Sequence, residues 1–212
     1  MEIELLNTFT QDGRPLGKAP REEVHRLGHW HETFHCWVTA TQDGEDVVYL
    51  QRRSADKKDY PGLFDITAAG HLTANETVQD GTREMAEEIG LTVDFGDLQP
   101  LGVIPYSIRQ AALIDNERAH VFLYHTDQPL EDFRVQAEEV AGLSSVSISN
   151  FAELWRGQQD MIPSRGFVLE SSGSIRPVTQ VLLRTDFVPH PDAYYSAVLG
   201  GLEEAQLARR SE

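Results

Sequence analysis

The sequence predicts an α+β domain. Alternation of period two recurs through the first two-thirds of the chain, one helical pattern interrupts it at residues 77–89, and the other long helical pattern falls at the end. Parallel βαβ units would instead alternate strand and helix regularly.

The elements follow in order. Ile3, Leu5 and, less regularly, Phe9 alternate with polar positions, predicting a strand over residues 1–11, and Asp12-Gly13 marks the turn after it. Residues 20–27 predict a short helix, with Pro20 near its start and Gly28 just past its end. Residues 32–40 read as a strand, Gln42-Asp43-Gly44 as a hairpin turn, and residues 47–51 as the returning strand. Pro61-Gly62 breaks the chain before a strand over 63–69. Further strands are predicted over 101–107, 120–124 and 143–148, then a short helix to Trp155 with Asn150 as its N-cap. Residues 178–183 alternate again, and a helix runs from about Asp192 to Arg209, interrupted by Gly200-Gly201. Residues 1–157 form the main domain with an N-terminal strand extension, and 158–212 a strand and helix extension of the same domain.

Of the 212 residues 40% are hydrophobic, enough for one core. No apolar run approaches the roughly 18 residues of a membrane span, and the N-terminus lacks the basic start and apolar stretch of a secretory signal. The single cysteine, Cys36, excludes an intrachain disulfide and suits a reducing compartment, so a cytoplasmic location is expected. A formal charge of −16 disfavours nucleic-acid polymers and anionic membranes as partners. It leaves a small phosphorylated substrate open, because a divalent cation reverses the local sign.

The chemistry concentrates in residues 70–91. Thr77 can cap a helix with Asp80 returning the bond, and Gly90 supplies the left-handed stop. At about 100° per residue, Val78, Thr82, Met85 and Ile89 share one face. Glu84, Glu87 and Glu88 share another. Three like charges at i, i+3 and i+4, near the end where the helix dipole disfavours anions, destabilise a helix. A solvated acidic face is one reading. A divalent cation bound through the three carboxylates is the other, and it turns the conflict into a site.

The segment resembles the Nudix box, Gly-x5-Glu-x7-Arg-Glu-(apolar)-x-Glu-Glu-x-Gly-(apolar). Gly70 to Glu76 fits its first half, and Arg83-Glu84-Met85-Ala86-Glu87-Glu88-Ile89-Gly90-Leu91 fits each fixed position of the second. Residues 50–54 and 61–65 look like the strand and turn that precede the box, so the resemblance covers residues 1 to about 157. One departure stands out: six residues, not seven, separate Glu76 from Arg83, which leaves Glu76 without an assigned role. The resemblance implies a mixed sheet sandwiched between helices (α/β/α) and a hydrolase of diphosphate linkages in small substrates such as nucleoside-diphosphate derivatives. It implies Mg²⁺ or Mn²⁺ on Glu84, Glu87 and Glu88, with Arg83 orienting the glutamates. A further glutamate from a later loop serves family members as base or ligand, and Glu138 and Glu139 are the candidates here.

A second resemblance is to the isopentenyl-diphosphate isomerase branch, which carries Cys-Gly-His entering the box and Glu-Asn-Glu in a later strand. This chain has Ala69-Gly70-His71 and Asp115-Asn116-Glu117, and residues 4–25 and 30–35 also look isomerase-like. His29, His31 and His35 have odd spacing and so share one face of a strand. With His71, Asp115 and Glu117 these strand histidines can make a second metal site, for which His35, His71, Asp115 and Glu117 are the expected set. Alanine at position 69 cannot transfer a proton, and Cys36 sits in another strand, which argues against isomerase chemistry. Three readings result: a metal-dependent diphosphate hydrolase, an isomerase, and a non-catalytic nucleotide-binding module. The terminal strand and helical tail offer a surface for homodimerisation.

Overall fold

The computed structural model describes residues 4–110 and 113–210. Ile3, with which the predicted opening alternation begins, lies outside the described residues. In chain order the elements are β1 (Leu5–Phe9), β2 (Pro15–Pro20), α1 (Arg21–Leu27), β3 (Trp30–Gln42), β4 (Glu45–Arg53), β5 (Phe64–Asp65), β6 (Ala68–His71), α2 (Thr82–Ile89), β7 (Gln99–Gln110), β8 (Leu113–His125), β9 (Val140–Ser147), α3 (Ile148–Trp155), β10 (Met161–Leu169), β11 (Ile175–Leu183) and α4 (Asp192–Arg209).

β3 organises the sheet. Its run of β-branched and aromatic residues favours a long strand, and both its edges are paired. On one edge it runs parallel to β8, setting His31 opposite Glu117 and His35 opposite Val121. On the other it pairs antiparallel with β6 near its start, setting Thr33 opposite His71 and His35 opposite Ala69, and with β4 near its end. Alternation along β3 and β4 then sorts side chains into two cores. Phe34, Cys36, Val38 and Tyr49 face Met85 and Ile89 of α2. Trp37, Val48 and Leu50 face Phe151 and Leu154 of α3 and Tyr194, Tyr195, Val198 and Leu202 of α4. The sheet is mixed, with helices on both faces, as the sequence predicts. Burying each such side chain contributes about 1.5–3 kcal/mol.

Several boundaries differ from the prediction for identifiable reasons. β2 and β10 are not legible in the sequence because Pro15, Gly17 and Pro20, and Pro163 and Gly166, read as breakers. Gly166 allows close approach: a Cβ there would collide with the Leu143 carbonyl and lie 2.6 Å from Ser144 Cα. Gly166→Ala is expected to destabilise the fold by about 2–3 kcal/mol, read from the midpoint of denaturant unfolding; an unchanged midpoint would refute this packing argument. The predicted strand over 63–69 is split into β5 and β6. The Asp65 carboxylate accepts from Ile66 N–H at 2.9 Å, and the Thr67 hydroxyl accepts from Val38 N–H at 2.9 Å, so side chains replace ladder bonds there.

α3 is capped by Ser147, whose hydroxyl accepts from Asn150 N–H at 3.2 Å, rather than by Asn150 itself. α4 is continuous through Gly200-Gly201, and the absent side chain at Gly201 admits Leu101 of β7. The helix predicted over 77–89 starts as a 3₁₀ turn, Val78–Gly81, before α2 begins. Asp80 accepts from the Thr77 N–H at 2.8 Å and from its hydroxyl at 2.7 Å. Four residues in 3₁₀ form cover about 8 Å, what about five cover in α form, which absorbs the residue missing between Glu76 and Arg83. No helix among the described residues is long and apolar enough to cross a membrane.

Candidate active site

Gly90 ends α2 in the left-handed conformation, φ 70°, and its N–H returns to the Ala86 carbonyl at 3.1 Å. The next carbonyls of the last turn are taken by a later loop: Arg134 N–H bonds Ile89 O at 3.2 Å and Gln136 N–H bonds Glu88 O at 3.0 Å. That attachment carries Glu139 to the same cleft as α2, where it ion-pairs with Lys57. Glu138 is exposed and is not among the residues lining the cleft. The two candidate loop glutamates are thus placed apart.

Arg83 is the hub of the box. Its guanidinium donates to the His71 carbonyl at 3.1 Å, to Glu84 at 2.7 Å, to Glu87 at 3.3 Å and to both oxygens of Glu76, one of them at 3.0 Å. Glu76 also accepts from Thr73 N–H at 2.7 Å. The residue that the shortened spacing left unassigned therefore clamps the arginine, which in turn holds two of the three box carboxylates.

Glu88 is buried and accepts from Ala69 N–H at 3.0 Å and from the Gln51 amide at 3.2 Å. Burial, reinforced by the charge of Glu84, pushes its carboxyl up to about 8. Burial likewise pushes Glu84 up to about 7, against the pull of Arg83. Glu87 is the exposed member. Gly70 is needed for room, since a Cβ there would overlap the Glu84 carboxylate. Hard oxygen donors at i, i+3 and i+4, Glu88 buried and Glu84 largely so, are a donor set that fits Mg²⁺ or Mn²⁺.

A second cluster lies along the β6–β3–β8 seam. Of the four residues expected there, Asp115 and Glu117 group with His31 of β3, and His71 groups with His31 and with His25 of α1, so His31 links two triads. The rings of His25, His31 and His71 stand 5.1 Å apart pairwise. Asp115 lies 3.6 Å from His25 Nε2 and 3.5 Å from His31 Nε2, with no hydrogen bond to either, so His31 Nε2 and Asp115 Oδ1 are buried without partners. Burial lowers all three imidazoles, His25 to about 4, which keeps them neutral. Neutral imidazole beside carboxylate is a donor set that suits a transition-type cation such as Mn²⁺ or Zn²⁺.

His35 meets the expected set through Glu117 alone. Four residues along a strand from His31 is about 13 Å, so it approaches Glu117 from the far side, at 3.1 Å. Glu117 also accepts from Thr33 at 2.9 Å and Tyr106 at 2.5 Å. Burial favours its protonation, but the bond from His35 and the surrounding histidines hold it well below the usual carboxylate range. Asp115 is driven up by burial and by the charge of Glu117. Sequence spacing alone did not reveal His25, because it lies on a helix whose position over the strands is set by tertiary packing. Both clusters border one cavity of about 330 Å³, which Arg21, Arg53 and Lys57 also line.

The comparisons with known proteins agree with this architecture. A NUDIX domain model matches residues 29–164. An uncharacterized Nudix hydrolase of Clostridium acetobutylicum is 34% identical over 202 residues, covering 95% of this chain and 98% of that one. An isopentenyl-diphosphate Delta-isomerase of Saccharopolyspora erythraea is 31% identical over 169 residues, 76% of this chain and 80% of the relative. In the crystal structure of DR0079 from Deinococcus radiodurans the likeness is of fold: TM-score 0.53 at 18% identity, covering 73% of this chain and 90% of that chain. With the family model spanning well over half of its length and a full-length relative at this identity, the chain belongs to the Nudix hydrolase family.

Proposed function

We propose that this protein hydrolyses a diphosphate linkage in a small substrate, a nucleoside-diphosphate derivative or a related diphosphate, with a divalent cation, Mg²⁺ or Mn²⁺, held by Glu84, Glu87 and Glu88. The observation that carries the reading is the pair of acids, the largely buried Glu84 and the buried Glu88, facing a cleft that also presents Arg53 and Lys57. The cation supplies charge neutralisation at phosphate oxygens and a more acidic bound water. Arg83 fixes Glu84 and Glu87 through its bonds to both, and Glu76 fixes Arg83. Glu88, which lines the same cleft, is one candidate to accept a proton from the attacking water. Glu139, ion-paired to Lys57, is the second candidate for that role. Arg53 and Lys57 supply positive charge for the phosphates in a chain that is otherwise strongly acidic.

The isomerase reading is favoured by the cluster of His25, His31, His71, Asp115 and Glu117. It is opposed by Ala69, which offers the cleft only a backbone N–H, already given to Glu88. The expected outcome of a panel assay with Mg²⁺ or Mn²⁺ is phosphate-containing products from one or more nucleotide or organic diphosphates, loss of turnover with chelator, and no conversion of isopentenyl to dimethylallyl diphosphate. Binding without turnover across the panel, or turnover retained in the Glu87→Gln, Glu88→Gln double variant, would overturn the hydrolase mechanism.

A further inference from the structure

β2, β7 and β11 each stand at an end of the sheet, and two of the three are blocked. β2 carries Pro15, Lys18 and Pro20. β7 carries Pro100, Pro105 and a register shift between Pro100 and Gly102. Prolines, lysines and bulges keep an edge from pairing with another chain. β11 has no such protection over most of its length. It pairs with β10 along all nine residues without a shift. From Pro177 to Leu183 it holds no charge and no glycine, in a chain of net charge −16.

The β10–β11 hairpin decides which backbone groups β11 shows on its free side. Glu170 N–H bonds the Ser174 carbonyl at 2.9 Å, and an antiparallel ladder bonds at every second residue, so the bonds to β10 fall on even-numbered positions. Pro163 and Pro177, which have no N–H to give, both stand at odd positions. The odd residues of β11 therefore turn their N–H and C=O groups outward. Pro177 begins that edge without a donor, and near its far end Asp186 takes the Leu183 N–H at 2.8 Å. Between them the N–H groups of Thr179 and Val181 have no partner among the described residues. The odd positions also put Ile175, Val181 and Leu183 on one face, 39%, 54% and 43% exposed, with the exposed Met161 of β10 opposite Leu183.

We propose that β11 is a dimer interface: it pairs antiparallel with β11 of a second copy of this chain, about a two-fold axis at Thr179. The stretch from Pro177 to Val181 is its own complement in that register. Thr179 N–H bonds the Thr179 carbonyl of the copy, and Val181 N–H bonds the Pro177 carbonyl of the copy, each in both directions. Both open donors are satisfied, and the proline has none to satisfy. The exposed apolar side chains meet one another, Val181 beside Pro177 and Leu183 beside Ile175. Arg176 of the copy comes opposite Leu182, one position from the Leu183 N–H that the Asp186 carboxylate holds. A strand of another sequence would have to match the missing donor, the apolar row and the positive charge together, whereas a second copy brings all three. The two-fold pair closes on itself and leaves the blocked β2 and β7 as the ends of the joined sheet. No residue of β10 or β11 lines the cleft of the box, so both sites stay open whatever their chemistry.

Light scattering after size exclusion reads the mass in solution of wild-type protein, Val181→Lys and Thr179→Pro. Lysine puts like charges on both sides of the axis. Proline removes an outward N–H and leaves the ladder to β10 intact, so either variant covers a failure of the other to fold. The wild type is expected at twice the 23.8 kDa of one chain at about 10 μM. Each substitution counts twice across the axis, so a loss of about tenfold per site weakens association about 100-fold and leaves mostly monomers at that concentration. Thr179→Cys should form a covalent dimer on oxidation with diamide. Arg176→Cys, whose two copies stand about 20 Å apart in this register, should not. Cys36 is buried and stays silent in both. A dimer that survives both substitutions, or crosslinking of Arg176→Cys in preference to Thr179→Cys, would overturn the proposal. So would a wild type that stays monomeric to about 100 μM, which would leave the edge to a different protein.

Discussion

Glu88→Gln should lower kcat by about 10³-fold, the scale of the several kcal/mol that a bound cation and its water contribute at a transition state. The substitution is close to isosteric. Its amide oxygen can still accept from Ala69 N–H and from Gln51, as the carboxylate does at 3.0 and 3.2 Å. What it removes is the charge and the basicity that burial confers. The same change should raise the melting temperature of the metal-free protein at about pH 8.5, since a buried carboxylate held near Glu84 is a cost to the fold. Activity falling while stability rises is the signature of a residue kept for chemistry. Steady-state kinetics with thermal unfolding read both, and a variant within tenfold of wild-type kcat would remove Glu88 from the mechanism.

The second large effect is a pH-dependent response to the cation. Glu84 and Glu88 take up protons in the fold at about 7 and about 8, against 4.5 for an ordinary glutamate. Between those values the folded chain holds protons that the unfolded chain has released. The associated stability is complete below about 4.5 and is lost as pH rises through 7 and 8. A divalent cation offsets the loss by replacing the protons. The gain in melting temperature on adding Mg²⁺ should therefore be small at about pH 6.5 and roughly 5–10 °C at about pH 8.5, corresponding to of order 3 kcal/mol. His25, lowered to about 4, is neutral in the folded chain across this window. The unfolded imidazole is still about half protonated at about pH 6.5 and neutral by about pH 8.5, so it lowers stability slightly at the lower pH only. An equal gain at both pH values, or one that persists in the Glu84→Gln, Glu88→Gln variant, would rule out these two carboxylates as the source.

Much of the box is legible in the sequence because its logic is local. Thr77, Asp80 and Gly90 delimit the segment, and the i, i+3, i+4 spacing puts Glu84, Glu87 and Glu88 on one side whatever the rest of the chain does. The exposure of each does not follow from spacing. Glu88 is sealed by Gln51 and Ala69, which belong to strands reached only through sheet pairing. The histidine cluster shows the same boundary more sharply. His31 and His35 share a strand face by parity, but which of them meets Asp115 depends on the β3–β8 register, and His25 depends on how α1 lies over the strands. β2 and β10 escape notice because their prolines and glycines are accommodated by partners that a single segment does not display. His190 is the extreme case: it reaches the cleft beside Asp65, 125 residues away in sequence.

The parallel β3–β8 pairing also settles where the domain tolerates a change of length. The 3₁₀ turn before α2 takes up a missing residue because a helix can trade pitch against residue count. A strand has no such freedom: with a side-chain period of two, one residue inserted between Glu117 and Val121 would leave Asp115 and Glu117 pointing to the opposite face from His31. Relatives that keep this histidine–carboxylate cluster should therefore vary in length at the entry to the helix and hold a fixed count along the seam, so that spacing alone, read across many chains, would mark out which of them retain it.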